Sequence, residues 1–371
     1  MKIRHIAPAL MLAMPAAWAQ SVAIYGVADA ALESVKTTGA AGGPSADRQR
    51  LSRLTSEGSF LGIRGSEDLG DGLAAVFQLE GNFSIDTGDF TSWNRDTFVG
   101  LRSTRWGSGT LGQNTTPMRS LGNSLDLTPG ANTGIGAIQS LLSINRQSSG
   151  ADNRRPNSVR YRSPTFSNLS LDLVYGLGES RDAATGRNDT MIGLGFSYRA
   201  GPWFVGYAYD RQNDSNRAGL AQTQGKDTRH RVGAKYNVLP QLMVGGFYDT
   251  AASSGTFGAG TGKITKDTWG VIGQWDVGAH GVYAMLVQAR PVECSGVTTG
   301  NGVGCATAAD TGARLLTLGY TYDLSKRTMI RAAVSRITNE SAARYDFSNG
   351  SIGANAGADP VGISIGLRHR F

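Results

Sequence analysis

Over much of the chain, apolar and polar residues alternate one by one. The closing segment shows this most plainly. Val361, Ile363, Ile365, Leu367 and Phe371 share one parity; Gly362, Ser364, Gly366, Arg368 and Arg370 share the other. Successive side chains of a strand point to opposite faces, so this pattern predicts one oily and one wet face. Ile24, Ala28 and Leu32 alternate with Tyr25, Asp29 and Glu33 in a first strand near Val22–Val35. A second strand ends near Leu61-Gly62-Ile63-Arg64 and turns through Ser66 to Gly72. The third begins at Leu73, with Leu73, Ala75, Phe77 and Leu79 opposite in parity to Gln78 and Glu80. The same alternation recurs in Ile192–Tyr198, Trp203–Tyr209 and Leu316–Asp323.

Tight turns fall at Ala200-Gly201-Pro202, Leu239-Pro240-Gln241, Gly278-Ala279-His280-Gly281 and Leu324-Ser325-Lys326-Arg327. Between them lie longer polar stretches, read as loops near residues 37–49, 86–93, 179–189, 213–227, 252–266, 291–311 and 339–359. Short turns alternating with long loops are the asymmetry of an outer-membrane barrel, and the segment lengths give about sixteen strands. The predicted fold is all-β: a transmembrane antiparallel β-barrel. Tyr207, Tyr209, Trp269, Tyr320, Tyr322 and Phe371 are suited to interfacial girdles.

Residues 114–154 break the rhythm. They hold Pro117, Pro129 and many glycines, with an apolar stretch at Ile138–Ile144 suited to packing or a short helix. A connection this long is usually functional. In a pore it is expected to fold inward and narrow the lumen.

The first nineteen residues read as a secretory signal: Lys2, Arg4 and His5, an apolar stretch from Ile6 to Met14, and Ala17-Trp18-Ala19 before the expected cleavage. Residues 20–371 are then one barrel domain. No later stretch is apolar enough for a membrane helix, which a barrel does not need. Formal charge is +7, and removing Lys2 and Arg4 leaves +5. The basic residues are spread along an exported chain, which argues against nucleic acid and for lumen or rim positions. Cys294 and Cys305 lie in a Gly/Thr-rich stretch, where a local disulfide is expected over metal binding. In the chain-entropy view it is worth about 3 kcal/mol. No HExxH, CxxC, P-loop or GxSxG pattern is present, so no cofactor and no catalysis are expected.

With these features in place, the chain resembles the Gram-negative general porins of the beta-proteobacterial type. The matching stretches are Ser21–Asp29, Leu61–Gly70, Phe98–Leu101, Leu111–Gln113, Asn157–Pro164, Leu318–Thr328 and Gly366–Phe371, in order from end to end. The resemblance implies a sixteen-stranded barrel, a homotrimer in outer-membrane lipid and lipopolysaccharide, with loop 3 bent inward. It also implies passive diffusion of small hydrophilic solutes and ions, and Phe371 as the signal read by the barrel insertion machinery. Anion-selective relatives line the constriction with arginines. Arg95 and Arg154 match two of those positions, whereas Phe60 stands where the family places a third. Arg64 shares the parity of Phe60 and is expected to replace part of that charge. Arg160 and Arg162 lie on a wet strand face and are expected to join them, with Asp126 opposing across the pore. Loop acids Asp310, Asp346 and Asp359 are expected to offset the arginines at the mouth.

The expected function is therefore a general diffusion porin with a modest preference for anions. The alternative is a substrate-selective channel on the same barrel. An outer-membrane barrel enzyme fits poorly, because His230 and His280 have no partner at a recognisable spacing.

Overall fold

The computed structural model describes residues 21–371 apart from 132, 147–151, 180–182, 184–187, 218–221, 258–259 and 298–302. The expected signal segment lies outside the described residues. Sixteen antiparallel strands close into a barrel. They are β1 (Ser21–Thr38), β2 (Leu51–Ser56 continued by Phe60–Gly70), β3 (Leu73–Ser84) and β4 (Asp89–Ser92 continued by Thr97–Ser103). There follow β5 (Gly107–Thr115), β6 (Arg154–Arg162), β7 (Leu169–Gly176), β8 (Thr190–Ala200), β9 (Trp203–Arg217) and β10 (Gln222–Leu239). The rest are β11 (Leu242–Phe257), β12 (Gly260–Val277), β13 (His280–Ala289 continued by Glu293–Ser295), β14 (Ala313–Asp323), β15 (Thr328–Asn339) and β16 (Asp359–Arg370).

Closure is made by β1 against β16, with Leu32 opposite Ile365 and Ala30 opposite Leu367. The alternation has its expected meaning. In β16, Ile363, Ile365 and Leu367 are each more than half exposed on the outside, while Ser364 and Arg368 are 2% and 7% exposed on the lumen side.

Two expected loops are strand instead. Residues 213–217, 222–227, 252–257 and 260–266 extend the hairpins β9–β10 and β11–β12, whose strands run 15 to 18 residues. An 18-residue strand tilted by about 40° rises about 45 Å, well beyond an apolar band of about 25 Å. Above that band no face is required to be oily, so Ser, Thr, Asn and Gly pair as strand without the alternation that would announce it.

The connection between β5 and β6, loop 3, lies inside the barrel. Thr116 caps its helix α1 (Pro117–Leu125), accepting the Arg119 N–H at 3.3 Å, with Pro117 in the first turn. Met118, Leu121 and Leu125 form the buried face of α1. Wall glycines let it approach: a Cβ on Gly206 would sit 2.5 Å from Leu121, and one on Gly233 2.6 Å from Leu125. A short 3-10 turn (Ile138–Leu141) follows, and Leu142 and Ile144 are buried after it.

Irregular backbone in a dry site needs partners, and cations on the wall supply them. Arg229 donates to Leu142 O at 2.6 Å, Arg231 to Met118 O at 3.2 Å and Lys235 to Ser124 O at 2.7 Å. Lys266 donates to Leu141 O and to Ser143 O. The two arginines are matched by carboxylates: Arg229 and Arg231 both pair with Asp249 at 2.8 Å, and Arg231 with Asp152 at 2.7 Å. Removing one partner of such a buried pair costs about 3–5 kcal/mol. The Arg231→Met variant is therefore expected to loosen loop 3 within an intact barrel. Limited trypsinolysis of folded protein reads this as new cleavage after Arg119; unchanged protection would refute the latch.

Candidate functional site

Loop 3 lies against β8 to β15 and reaches across to β16, β1 and β2. Arg368 donates to Pro129 O at 3.3 Å, and Gly134 lies against the Glu57 carboxylate. The wall from β2 to β6 is left facing water across the loop. Between them is a cavity of about 340 Å³ whose lining includes four arginines: Arg95, Arg119, Arg154 and Arg368. Among the described residues no acidic side chain lines it.

Each arginine is placed by local structure. Arg95 sits in the break of β4, where its N–H donates to Glu80 O at 3.1 Å and its carbonyl accepts from Gln113 at 2.7 Å. Its guanidinium lies 4.4 Å from the centre of the Phe60 ring and 3.3 Å from Glu80 Oε2. Phe60 thus holds a neighbouring guanidinium in place of carrying one. Arg154 opens β6, opposite Thr115, and its Nε lies 3.5 Å from Asp96. Arg368 comes from β16 and pairs with Asp29 at 2.7 Å. Arg119 stands in the first turn of α1 and donates to Asp152 O at 3.2 Å, with no carboxylate ion pair among the described residues. Burial lowers its pKa and the nearby Asp152 charge opposes that shift. A guanidinium starts so far above neutrality that it remains charged at pH 7.

A second cavity, of about 590 Å³, adjoins the first through Asp96 and runs towards the short turns. Arg64, Arg102, Arg160 and Arg162 line it. Arg64 stacks 4.6 Å from the Tyr25 ring, and Arg160 grips Asp172 with two bonds of 2.5 and 2.9 Å. Arg162 lies 3.8 Å from the same carboxylate. The expected arginines therefore fall at two heights: Arg95 and Arg154 in the narrow cavity, Arg64, Arg160 and Arg162 in the wider one.

Asp126 lies elsewhere. It ends α1, is buried, and accepts the N–H groups of Thr128 at 2.9 Å and Ile138 at 3.1 Å, so it folds loop 3 and lines neither cavity. Asp346 is likewise turned inward, accepting N–H groups from Phe347, Ile352, Gly353 and Ala354. Asp359 pairs with Arg336 at 2.8 Å. Sequence reasoning missed Arg119, Arg368 and Arg102 as lining residues. Arg102 and Arg368 carry the wet-face parity that would have found them. Arg119 lies in a stretch without alternation and carries no such signal.

Phe371 pairs its backbone with Gly26, N–H to O at 3.2 Å, and its ring covers that glycine on the lipid face. Cys294 and Cys305 form a disulfide with Cα atoms 5.7 Å apart, in the connection from β13 to β14. His230 and His280 face outward and meet Tyr207 and Tyr320 at 2.9 and 2.8 Å, as members of the girdles.

Known proteins share this arrangement. Residues 7–342 match the family model of the Gram-negative porins. An outer membrane porin protein of Bordetella pertussis is 28% identical, over 95% of this chain and 94% of its own. Outer membrane porin protein 32 of Delftia acidovorans is 29% identical over the whole of both chains. Among solved structures, an anion-selective porin from Comamonas acidovorans superposes with a TM-score of 0.79 at 25% identity, covering 95% of this chain and all of that one. With its closed barrel, inward loop and arginine-lined cavities, the chain belongs to the Gram-negative porin family and is a channel of the outer membrane.

Proposed function

We propose that this porin passes small hydrophilic solutes by passive diffusion and favours anions at the narrow cavity. The observation that carries the reading is four arginines around about 340 Å³ with no acid on the lining among the described residues. Rings of fixed cations favour anions in pores. Every point in so small a space lies within the Debye length of the wall, about 8 Å at physiological salt, so screening is partial. Glu80, Asp96 and Asp29 offset three of the four charges from behind. Arg119 supplies the excess, which makes the preference modest. Arg64, Arg102, Arg160 and Arg162 continue the positive path below.

The reading extends to processing and assembly. Cleavage after Ala19 leaves residues 20–371 as one barrel, which inserts through the outer-membrane machinery using Phe371 and works as a homotrimer in lipid and lipopolysaccharide. Intact mass of protein isolated from outer membranes is expected to match a chain beginning at Gln20. A mass that retains the leader removes that part.

Planar-bilayer recording under a KCl gradient tests the rest. Large conductance in steps of three and a reversal potential on the chloride side are expected; a potassium-side potential would sink the anion reading and leave the channel. A unit charge about 4 Å away is worth about 1 kcal/mol even in bulk water. The two ions feel that charge with opposite sign, so Arg119→Gln and Arg154→Gln should each lower the chloride-to-potassium permeability ratio by at least about five-fold. Phe60→Arg adds a charge at the same height and should raise the ratio by a similar factor.

A further inference from the structure

After crossing the lumen, loop 3 returns towards β6 through residues 138–146. Wall cations hold this limb from below, and other loops grip it from the long-loop end. Asn145 is at the centre of that grip. It is 1% exposed and adopts a left-handed backbone, φ 43°. Its N–H donates to Tyr345 Oη at 3.1 Å. Its Nδ2 donates to Val303 O at 3.0 Å and Ala342 O at 3.2 Å, and its Oδ1 accepts the Arg344 N–H at 2.7 Å. The side-chain amide offers two hydrogens and one oxygen, and all three are used.

The partners come from two connections. Tyr345, Ala342 and Arg344 belong to the loop between β15 and β16. That loop also meets the limb where Ser348 N–H donates to Ser140 Oγ at 3.1 Å and Arg146 to Ser351 Oγ at 3.0 Å. Val303 lies within the segment closed by Cys294 and Cys305. Ile144, beside Asn145, is buried with Val292, Val297 and Val303, and both cysteines pack on that cluster. The same β15–β16 loop places Asn349 on the lining of the narrow cavity.

We propose that Asn145 is a positioning residue for the constriction, through which the disulfide-closed loop and the β15–β16 loop set the place of loop 3. The proposal rests on the narrow cavity being the selective passage. The amide acts at a distance from the solute path: it fixes the limb of loop 3 against the β15–β16 loop, which bears Asn349 on the cavity lining.

Asn145→Gly isolates the amide, because glycine adopts a left-handed backbone without strain. Each net hydrogen bond is worth about five-fold in an equilibrium, so losing three should raise the undocked population about 100-fold. In single-channel records this appears as far more time at altered current levels and a smaller chloride preference, while the heat resistance of the barrel on gels is unchanged. Asn145→Asp keeps the Arg344 bond but sets a buried acceptor oxygen against the Val303 and Ala342 carbonyls, so it should undock the limb at least as far as Asn145→Gly. The Cys294→Ser/Cys305→Ser double variant should move in the same direction by less. Records of Asn145→Gly and of the double variant identical to the parent, with Arg119→Gln still shifting the reversal potential, would overturn this inference alone. A silent Arg119→Gln would remove the constriction reading, and this inference with it.

Discussion

The structure depends on one constraint: in hydrocarbon, every backbone N–H and C=O must find its partner within the protein. A sheet meets that demand only by closing, and closure here is the seam of β1 with β16. Once the ladder is closed, the two-residue period of side chains divides the molecule into an outside and an inside. The outside is set by lipid and is monotonous: Ile, Leu, Val and an aromatic fringe. The inside is free of that demand, and loop 3 and the arginine-lined cavities are built there.

The inside carries two populations of cations with different tasks. Arg229, Arg231, Lys235 and Lys266 are used to seat loop 3, taking up carbonyl oxygens that its irregular path leaves unpaired. Arg64, Arg95, Arg154 and Arg162 stand on the other half of the wall and face the water left between wall and loop. Their carboxylate partners differ accordingly. Asp249 is enclosed between two arginines, whereas Asp96 and Asp172 are partly exposed, and Asp172 holds a buried Arg160 while leaving Arg162 accessible.

Most of the wall was legible in the sequence, because lipid on one side and water on the other impose a pattern that a single chain displays. The closing strand, the turn at Asp71-Gly72 and the outward Leu316 and Leu318 all lie where alternation puts them. Legibility failed where that two-sided demand lapses. Residues 213–227 and 252–266 rise above the lipid, so polar residues on both faces looked like loops. Inside loop 3 the choice between lining and folding is made by backbone geometry. Asp126 was expected in the pore and instead satisfies the N–H groups of Thr128 and Ile138; Arg119 reaches the pore from a helix that no periodicity announced.

The tall hairpins β9–β10 and β11–β12 carry a consequence for how this protein tolerates change. Their upper arms are held by backbone pairing between neighbours and, on the inner face of β11 and β12, by Phe257, Ile264 and Lys266 against loop 3. Away from those inward positions, substitutions answer to strand propensity and to cross-strand contacts. Removing residues in opposed pairs, two from each strand, would preserve parity and register below. Provided the inward positions that hold loop 3 are kept, the rim facing the outside world can thus be rewritten in sequence and height while the conducting half of the molecule stays as it is.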